Sequence, residues 1–226
     1  MRDGRGYMLK TIEAEAKSAA SWLGRARLDP KVLAAIAEVP RHEFVPPSLA
    51  KSAYQNGPLP IGYQQTISQP FIVALMTDLL RPRPDYTILE VGTGSGYQAA
   101  VLSRLVRQVY SLEIIPELAE QARARLARLG YDNVEVIHGN GRNGLPKHAP
   151  YDGITVTAAA EAVPQALIDQ LKPGARLVIP IGGRMFGQEL IVLERDEKGG
   201  VRREDVLPVA FVPLTGGAEH AENEED

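Results

Sequence analysis

The sequence predicts an α/β fold: a doubly wound, mostly parallel sheet, with helices ahead of it and antiparallel strands at its C-terminal edge. Two observations carry that reading. Between residues 86 and 182, short strand-like runs alternate with helix-period segments, as in strand–helix–strand units laid into one parallel sheet. From residue 188 onward, two strand-like runs follow each other with only a Gly-containing turn between them, which makes them antiparallel neighbours.

Along the chain, 11-TIEAEAKSAASWL-23 puts Ile12, Ala16, Ala19, Ala20 and Leu23 on one helical face. Asp29-Pro30 reads as an N-cap followed by proline in the first turn, and the helix it opens stops before Pro40. The first 55 residues are thus expected to be helical, with a proline-rich join at 45-VPP-47. Another helix is expected over 69–80, ending ahead of Pro82 and Pro84. Strand 86-YTILEV-91, a Gly-rich turn and helix 97–105 come next, then strand 108-QVYSLE-113 and helix 116–130. Strand 133-NVEVIH-138 leads into a Gly/Asn loop. Strand 152-DGITVT-157, helix 164–171 and a turn with a strand over 172–182 complete the alternation. Segments 188-QELIVLERD-196 and 206-VLPVAFVPL-214 are the expected antiparallel strands, and the acidic tail 217–226 is expected to be disordered.

Composition removes several classes of function. Of 226 residues, 44% are hydrophobic and 23% charged, ordinary values for a soluble globular chain. A net charge of −3 argues against a nucleic-acid phosphate track, so no nucleic-acid partner is expected. Cysteine is absent, which excludes disulfides, thiolate nucleophiles and Cys-ligated metal, and fits a reducing cytoplasm. No apolar run approaches the roughly 20 residues of a membrane span, and MRDGRGYMLK has no signal-peptide core. The four histidines show no ligand spacing, so no metal is expected.

The motif with the most chemistry is 90-EVGTGSG-96, between a strand and a helix. Its glycines, Gly92, Gly94 and Gly96, let the backbone turn tightly and approach a ligand closely. Glu113 ends the next strand, where an acid can accept from the two hydroxyls of a ribose. Glu90 precedes the first glycine. It would repel a pyrophosphate and attract a cationic sulfonium and ammonium, so S-adenosyl-L-methionine is favoured over NAD. Asn140, in 138-HGNG-141, has the groups to bond adenine, although taken alone a turn residue before glycine is the favoured reading.

The motif and its order are similar to class I methyltransferases, which implies a Rossmann-like methyltransferase sheet and also brings Thr93 into the cofactor turn. The [DNS]-P-P-[YF] segment of nucleic-acid amino-methyltransferases does not appear after the fourth strand, where 157-TAAAEAVP-164 stands. With 39-VPRHEFVP-46, 58-PLPIGYQQTISQP-70, 155-TVTAA-159 and 211-FVPLT-215 added, the chain resembles the protein-L-isoaspartate O-methyltransferase family over roughly residues 30 to 215. The resemblance implies transfer of a methyl group from S-adenosyl-L-methionine to the free α-carboxylate of isoaspartyl residues in damaged proteins, leaving S-adenosyl-L-homocysteine. It implies that Ser68 is the active-site serine, with Thr66 and Ile67 beside it on the substrate and Thr215 near the cofactor. It also implies a monomeric cytoplasmic enzyme whose partners are isoaspartyl proteins and peptides. In this reading one domain covers 1–216, with 1–80 on the substrate side and 81–216 as the cofactor-binding core. Relatives commonly carry Asp where Asn140 stands, and His or Tyr where Phe71 stands. Ser68 has a second reading from position alone, as a cap for helix 69–80. A methyltransferase for another small carboxylate or an RNA, or a non-catalytic cofactor-binding protein, stays open at this point.

Overall fold

The computed structural model describes residues 2–183 and 187–216; the tail 217–226 lies outside them. The chain opens with helices α1 (Arg2–Ser18), α2 (Ala20–Leu23) and α3 (Pro30–Glu38). α1 starts well before the expected position 11. Gly4 and Gly6 weaken its first half as a sequence signal, but Met8, Ile12 and Ala16, four apart, are all buried and hold it to the core. A break at Ala19 then divides the single helix expected over 11–23. α3 forms as its cap predicts, with the Asp29 carboxylate accepting from Lys31 N at 2.8 Å and Pro30 in the first turn.

Strands β1 (Leu59–Gly62) and β2 (Gln65–Ile67) form a small antiparallel hairpin that the sequence does not announce. Its two-residue turn puts Tyr63 and Gln64 at φ 51° and 56°. That left-handed geometry suits a twisted hairpin, but the usual Asn-Gly signal for it is replaced by Tyr-Gln. α4 (Pro70–Leu79) follows and is buried almost all round, as its 71-FIVALM-76 run requires.

The large sheet contains β3 (Thr87–Val91), β4 (Gln108–Glu113), β5 (Val134–His138), β6 (Tyr151–Val156), β7 (Leu171–Gly183), β8 (Gly187–Arg195) and β9 (Val201–Val209). Its order is β5-β4-β3-β6-β7-β8-β9, parallel through β7 and antiparallel beyond. α5 (Tyr97–Ser103) and α6 (Pro116–Arg128) pack with α4 on one face, over Ile88, Val109 and Val178. α7 (Gln165–Asp169) contributes Leu167 to the other face, against Leu89, Ile154 and Leu177. The sheet is therefore doubly wound, and its strand order reverses between β3 and β6.

The last strand differs from expectation. β9 runs over Val201–Val209 and not over 206–214. Its first half, 201-VRRED-205, is exposed and charged, so no alternation marks it; pairing with β8 from Arg195↔Val201 to Gln188↔Val209 supplies the order. Residues 210–214 leave the sheet edge and cross to the end of β6, where Ala159 and Pro213 form a parallel bridge. Gln188 steers that departure, accepting from Phe211 N at 2.6 Å and donating to Phe211 O at 3.1 Å.

Candidate active site

Ligands of doubly wound sheets bind outside the carboxyl ends of the strands where the order reverses. Here that point lies between Gly92, after β3, and Thr157, after β6, and a cavity opens there. Its walls bring together the glycine turn, the end of β4 and residues 212–215. Gly92 is at φ +95°, and a Cβ there would fall 2.4 Å from Thr157 Oγ1. The approach is close because Thr157 Oγ1 donates to Gly92 O at 2.6 Å, tying the two strand ends together.

Glu113 lies on the cavity wall. Its Oε2 accepts from Gly94 N at 2.7 Å and its Oε1 from Ile115 N at 3.0 Å. The carboxylate thus fixes the glycine turn against the end of β4, and two of its roughly four acceptor positions remain for a ligand. Gly92 and Gly94 line the same cavity, as does Thr215, just past the crossing segment. Thr93 turns inward and shares a 2.5 Å hydrogen bond with Ser111 Oγ. Gly96 begins α5 at φ 86°, and a Cβ there would approach Leu126 of α6 to 3.1 Å.

Glu90 departs from the sequence reading. It is fully buried beneath the glycine turn and is not on the cavity wall. In the sheet register it stands between Ser111 of β4 and Thr155 of β6. Ser111 Oγ donates to one carboxyl oxygen of Glu90, while the other oxygen and Thr155 Oγ1 have no partner among the described residues. Burial pushes the Glu90 carboxyl up to about 8; the Ser111 bond opposes that shift and the charge of Glu113 adds to it. At neutral pH that carboxyl is largely protonated, so Glu90 meets a cation in the cavity neither by contact nor with a full negative charge.

The folded pKa of Glu90 lies above the unfolded one, so the folded state holds an extra proton between them. That contribution to stability is complete below the unfolded carboxylate range and is lost as pH rises toward about 8. Glu90→Gln should flatten the slope, which for one proton is about 1.4 kcal/mol per pH unit, and should melt above wild type at the alkaline end. Thermal melts of both proteins from pH 5 to 8.5 measure this; parallel curves would rule the role out.

Asn140 also differs from its expected part. Its Nδ2 donates to Gly216 O at 2.8 Å and its Oδ1 accepts from Arg142 N at 3.0 Å, so both ends of the amide are engaged within the chain. It is Gly141, not Asn140, that lines the cavity. Arg142 Nη2 donates to Leu214 O at 2.9 Å, so Asn140 and Arg142 together clasp the crossing segment over the site. An aspartate at 140 could not donate to the Gly216 carbonyl.

A second cavity opens beside the first. Ser68, Ile72 and Phe211 lie on it, and Thr66, Thr157 and Val212 are walls of both cavities. Ser68 does not cap the helix: the N-cap of α4 is Gln69, and no side chain bonds there. Ile67 turns its side chain into the core, leaving only its backbone between Thr66 and Ser68. Phe71 is likewise a core residue. Thr157 and Val212 carried no role in the sequence reading. The position of Thr157 at the end of the fourth parallel strand is the signal that would have found it; Val212 is placed by a crossing segment that no periodicity marks. Among the described residues, no His/Cys/Asp/Glu group is arranged to hold a metal, and no helix is long and apolar enough to cross a membrane.

Comparison with known proteins gives a consistent answer. The family model described as "Protein-L-isoaspartate(D-aspartate) O-methyltransferase (PCMT)" matches residues 22–219. A Syntrophobacter fumaroxidans protein named protein-L-isoaspartate O-methyltransferase 2 is 58% identical over 213 residues, 94% of this chain and 86% of its own length. Among solved structures, one named protein-L-isoaspartate O-methyltransferase superposes with a TM-score of 0.76 at 28% identity, covering 96% of this chain. This chain spans 66% of that longer one. A Plasmodium falciparum structure in complex with S-adenosyl-L-homocysteine has the same fold, with a TM-score of 0.76 at 23% identity over 92% of this chain and 97% of that one. The family match and the level of identity with a curated relative together show that the chain belongs to the protein-L-isoaspartate(D-aspartate) O-methyltransferase family.

Proposed function

We propose that this chain methylates the free α-carboxylate of L-isoaspartyl residues in damaged proteins and peptides, using S-adenosyl-L-methionine, and so starts their repair. The observation that carries the reading is the shared wall: the cavity of the glycine turn and the cavity of Ser68 meet at Thr66, Thr157 and Val212. The donor set fits the cofactor. Glu113 has acceptor capacity for a ribose, and the glycine turn allows close approach. Bound there, S-adenosyl-L-methionine supplies an electrophilic methyl group on a positively charged sulfur.

The remaining work is positioning. A carboxylate is already ionised at neutral pH, so the residues of the site need no general base. Ser68 and Thr66 hold the carboxylate oxygens by hydroxyl donation, and Thr157 and Val212 stand on the wall the two cavities share. Hydroxyls suit this role because a cation in direct contact would bind the oxygens tightly and lower their nucleophilicity. Confinement of carboxylate and cofactor in one geometry provides the rate enhancement. Apolar walls such as Ile72 and Phe211 suit a peptide segment entering the cleft. We extend the reading to a monomer in the cytoplasm, acting on peptides and not on nucleic acid.

The test is methyl transfer to paired peptides that differ only in isoaspartate against aspartate. Labelling should be confined to the isoaspartyl peptide. Equal labelling of both, or none of either, would defeat the proposal.

A further inference from the structure

Arg41 is among the largest side chains that the fold encloses completely. No acid answers it: it forms no ion pair among the described residues, and its contacts are neutral groups. Nε donates to Ala53 O at 2.8 Å, and Nη2 donates to Ser68 O at 2.7 Å. The guanidinium carbon lies 4.8 Å from the centre of the Tyr97 ring. Arg41 Nη1 and the Tyr97 hydroxyl are both buried and close enough to act on each other's charge, but they lie outside good hydrogen-bond geometry. A buried cation without a counter-charge is costly, and a well-packed apolar side chain would be the cheaper filler. Burial accordingly lowers the guanidinium pKa, although an arginine remains charged.

The location of that charge is informative. Ser68 belongs to the substrate side, and Tyr97 is the first residue of the helix that follows the glycine turn. Arg41 therefore links the two halves of the site, with its guanidinium on the Ser68 carbonyl and beside the Tyr97 ring. We propose that Arg41 is a positioning residue for the anionic substrate: it fixes the Ser68 main chain and supplies the positive field that the α-carboxylate answers. The proposal rests on the assignment of Ser68 and Thr66 as the carboxylate's partners. It gives the buried charge a counter-ion during turnover, and it keeps the cation out of direct contact with the oxygen that must react.

A purely structural arginine predicts something different. It would hold the Ala53 and Ser68 carbonyls, and its loss would harm every peptide alike. The test uses protein loaded with S-adenosyl-L-homocysteine and two peptides, one isoaspartyl and one with the same residue as its neutral α-carboxamide. Calorimetry gives the affinity ratio of the pair. In Arg41→Gln, which keeps N–H donors without charge, the preference for the carboxylate should shrink on the order of tenfold, the scale of one charge interaction beyond hydrogen-bond range in a protein interior. The KM for isoaspartyl peptide should rise by a similar factor, while affinity for S-adenosyl-L-methionine stays within about twofold. Arg41→Lys should keep most of the carboxylate preference and lose kcat, because its point charge cannot reproduce the planar fork.

A folded Arg41→Gln protein with the wild-type ratio would overturn the proposal. If that variant does not fold, Arg41→Lys decides: preference kept with lowered kcat supports the charge role, and preference lost overturns it. Wild-type protein that binds both peptides equally, or neither, would defeat the isoaspartyl assignment itself, which is a separate outcome.

Discussion

Glu113→Ala should weaken S-adenosyl-L-methionine binding on the order of 100-fold, as expected from losing one or two hydrogen bonds to a charged acceptor at about 1.5–3 kcal/mol each. Two losses combine. The ligand loses the carboxylate expected to accept from its ribose hydroxyls, and the glycine turn loses the group that holds Gly94 N at 2.7 Å. The second loss also bears on stability. Glu113 is 6% exposed and accepts from two backbone N–H groups, so alanine leaves the N–H of Gly94 and of Ile115 without acceptors. The cofactor-free variant should therefore melt below wild type, which the position of Glu113 in the sequence did not lead one to expect. Glu113→Gln separates the effects, because an amide oxygen still accepts from one N–H while its NH2 opposes the other. Calorimetric titration measures the affinity, and melting of the cofactor-free proteins measures the turn. Unchanged affinity in both variants would remove Glu113 from the cofactor site.

The parts of this molecule that the sequence made legible are those in which local chemistry and tertiary position agree. The Asp29-Pro30 cap, the alternating strands and helices of 86–182, and the glycine turn after β3 all declare themselves through residues whose preferences match their setting. Motifs in the chain space Ser68, Thr66 and Glu113, and the fold sets all three on the walls of two adjoining cavities. Asn140 and Glu90 sit differently from their sequence reading for the opposite reason. Asn140 has the groups to bond adenine, but a segment 76 residues away claims its amide. Glu90 is acidic, but whether it meets a ligand or lies under the turn depends on Ser111 and Thr155 from neighbouring strands. Arg41 was hidden most completely. In 39-VPRHEFVP-46 an arginine next to histidine and glutamate looks like surface, and only the packing of Tyr97 and Ser68 around it shows that it is enclosed.

Ser68→Ala should lower kcat on isoaspartyl peptide by about 10- to 100-fold, the equivalent of about 1–3 kcal/mol for one positioned hydrogen bond. The fold gives this hydroxyl no other duty. Gln69 is the N-cap of α4 without a side-chain bond, and Ser68 Oγ makes no hydrogen bond among the described residues. What the chain does hold is the Ser68 main chain, through Arg41 at 2.7 Å, and alanine leaves that bond intact. Affinity for S-adenosyl-L-methionine should then stay within about twofold, and melting should hardly move, as for a half-buried substitution that removes no internal partner. Thr66→Val makes the useful contrast. Thr66 lies on the wall of both cavities, so its loss should affect peptide and cofactor together. If both hydroxyls hold the same carboxylate, the double variant should lose less than the product of the single losses, because the second deletion removes a partner already misaligned. Steady-state kinetics on the three variants, with calorimetry for the cofactor, provide every number needed. A fall in cofactor affinity parallel to the fall in kcat for Ser68→Ala would move Ser68 out of the substrate cleft and into the cofactor site. A kcat within about twofold of wild type would leave the carboxylate to Thr66 and the backbone of Ile67.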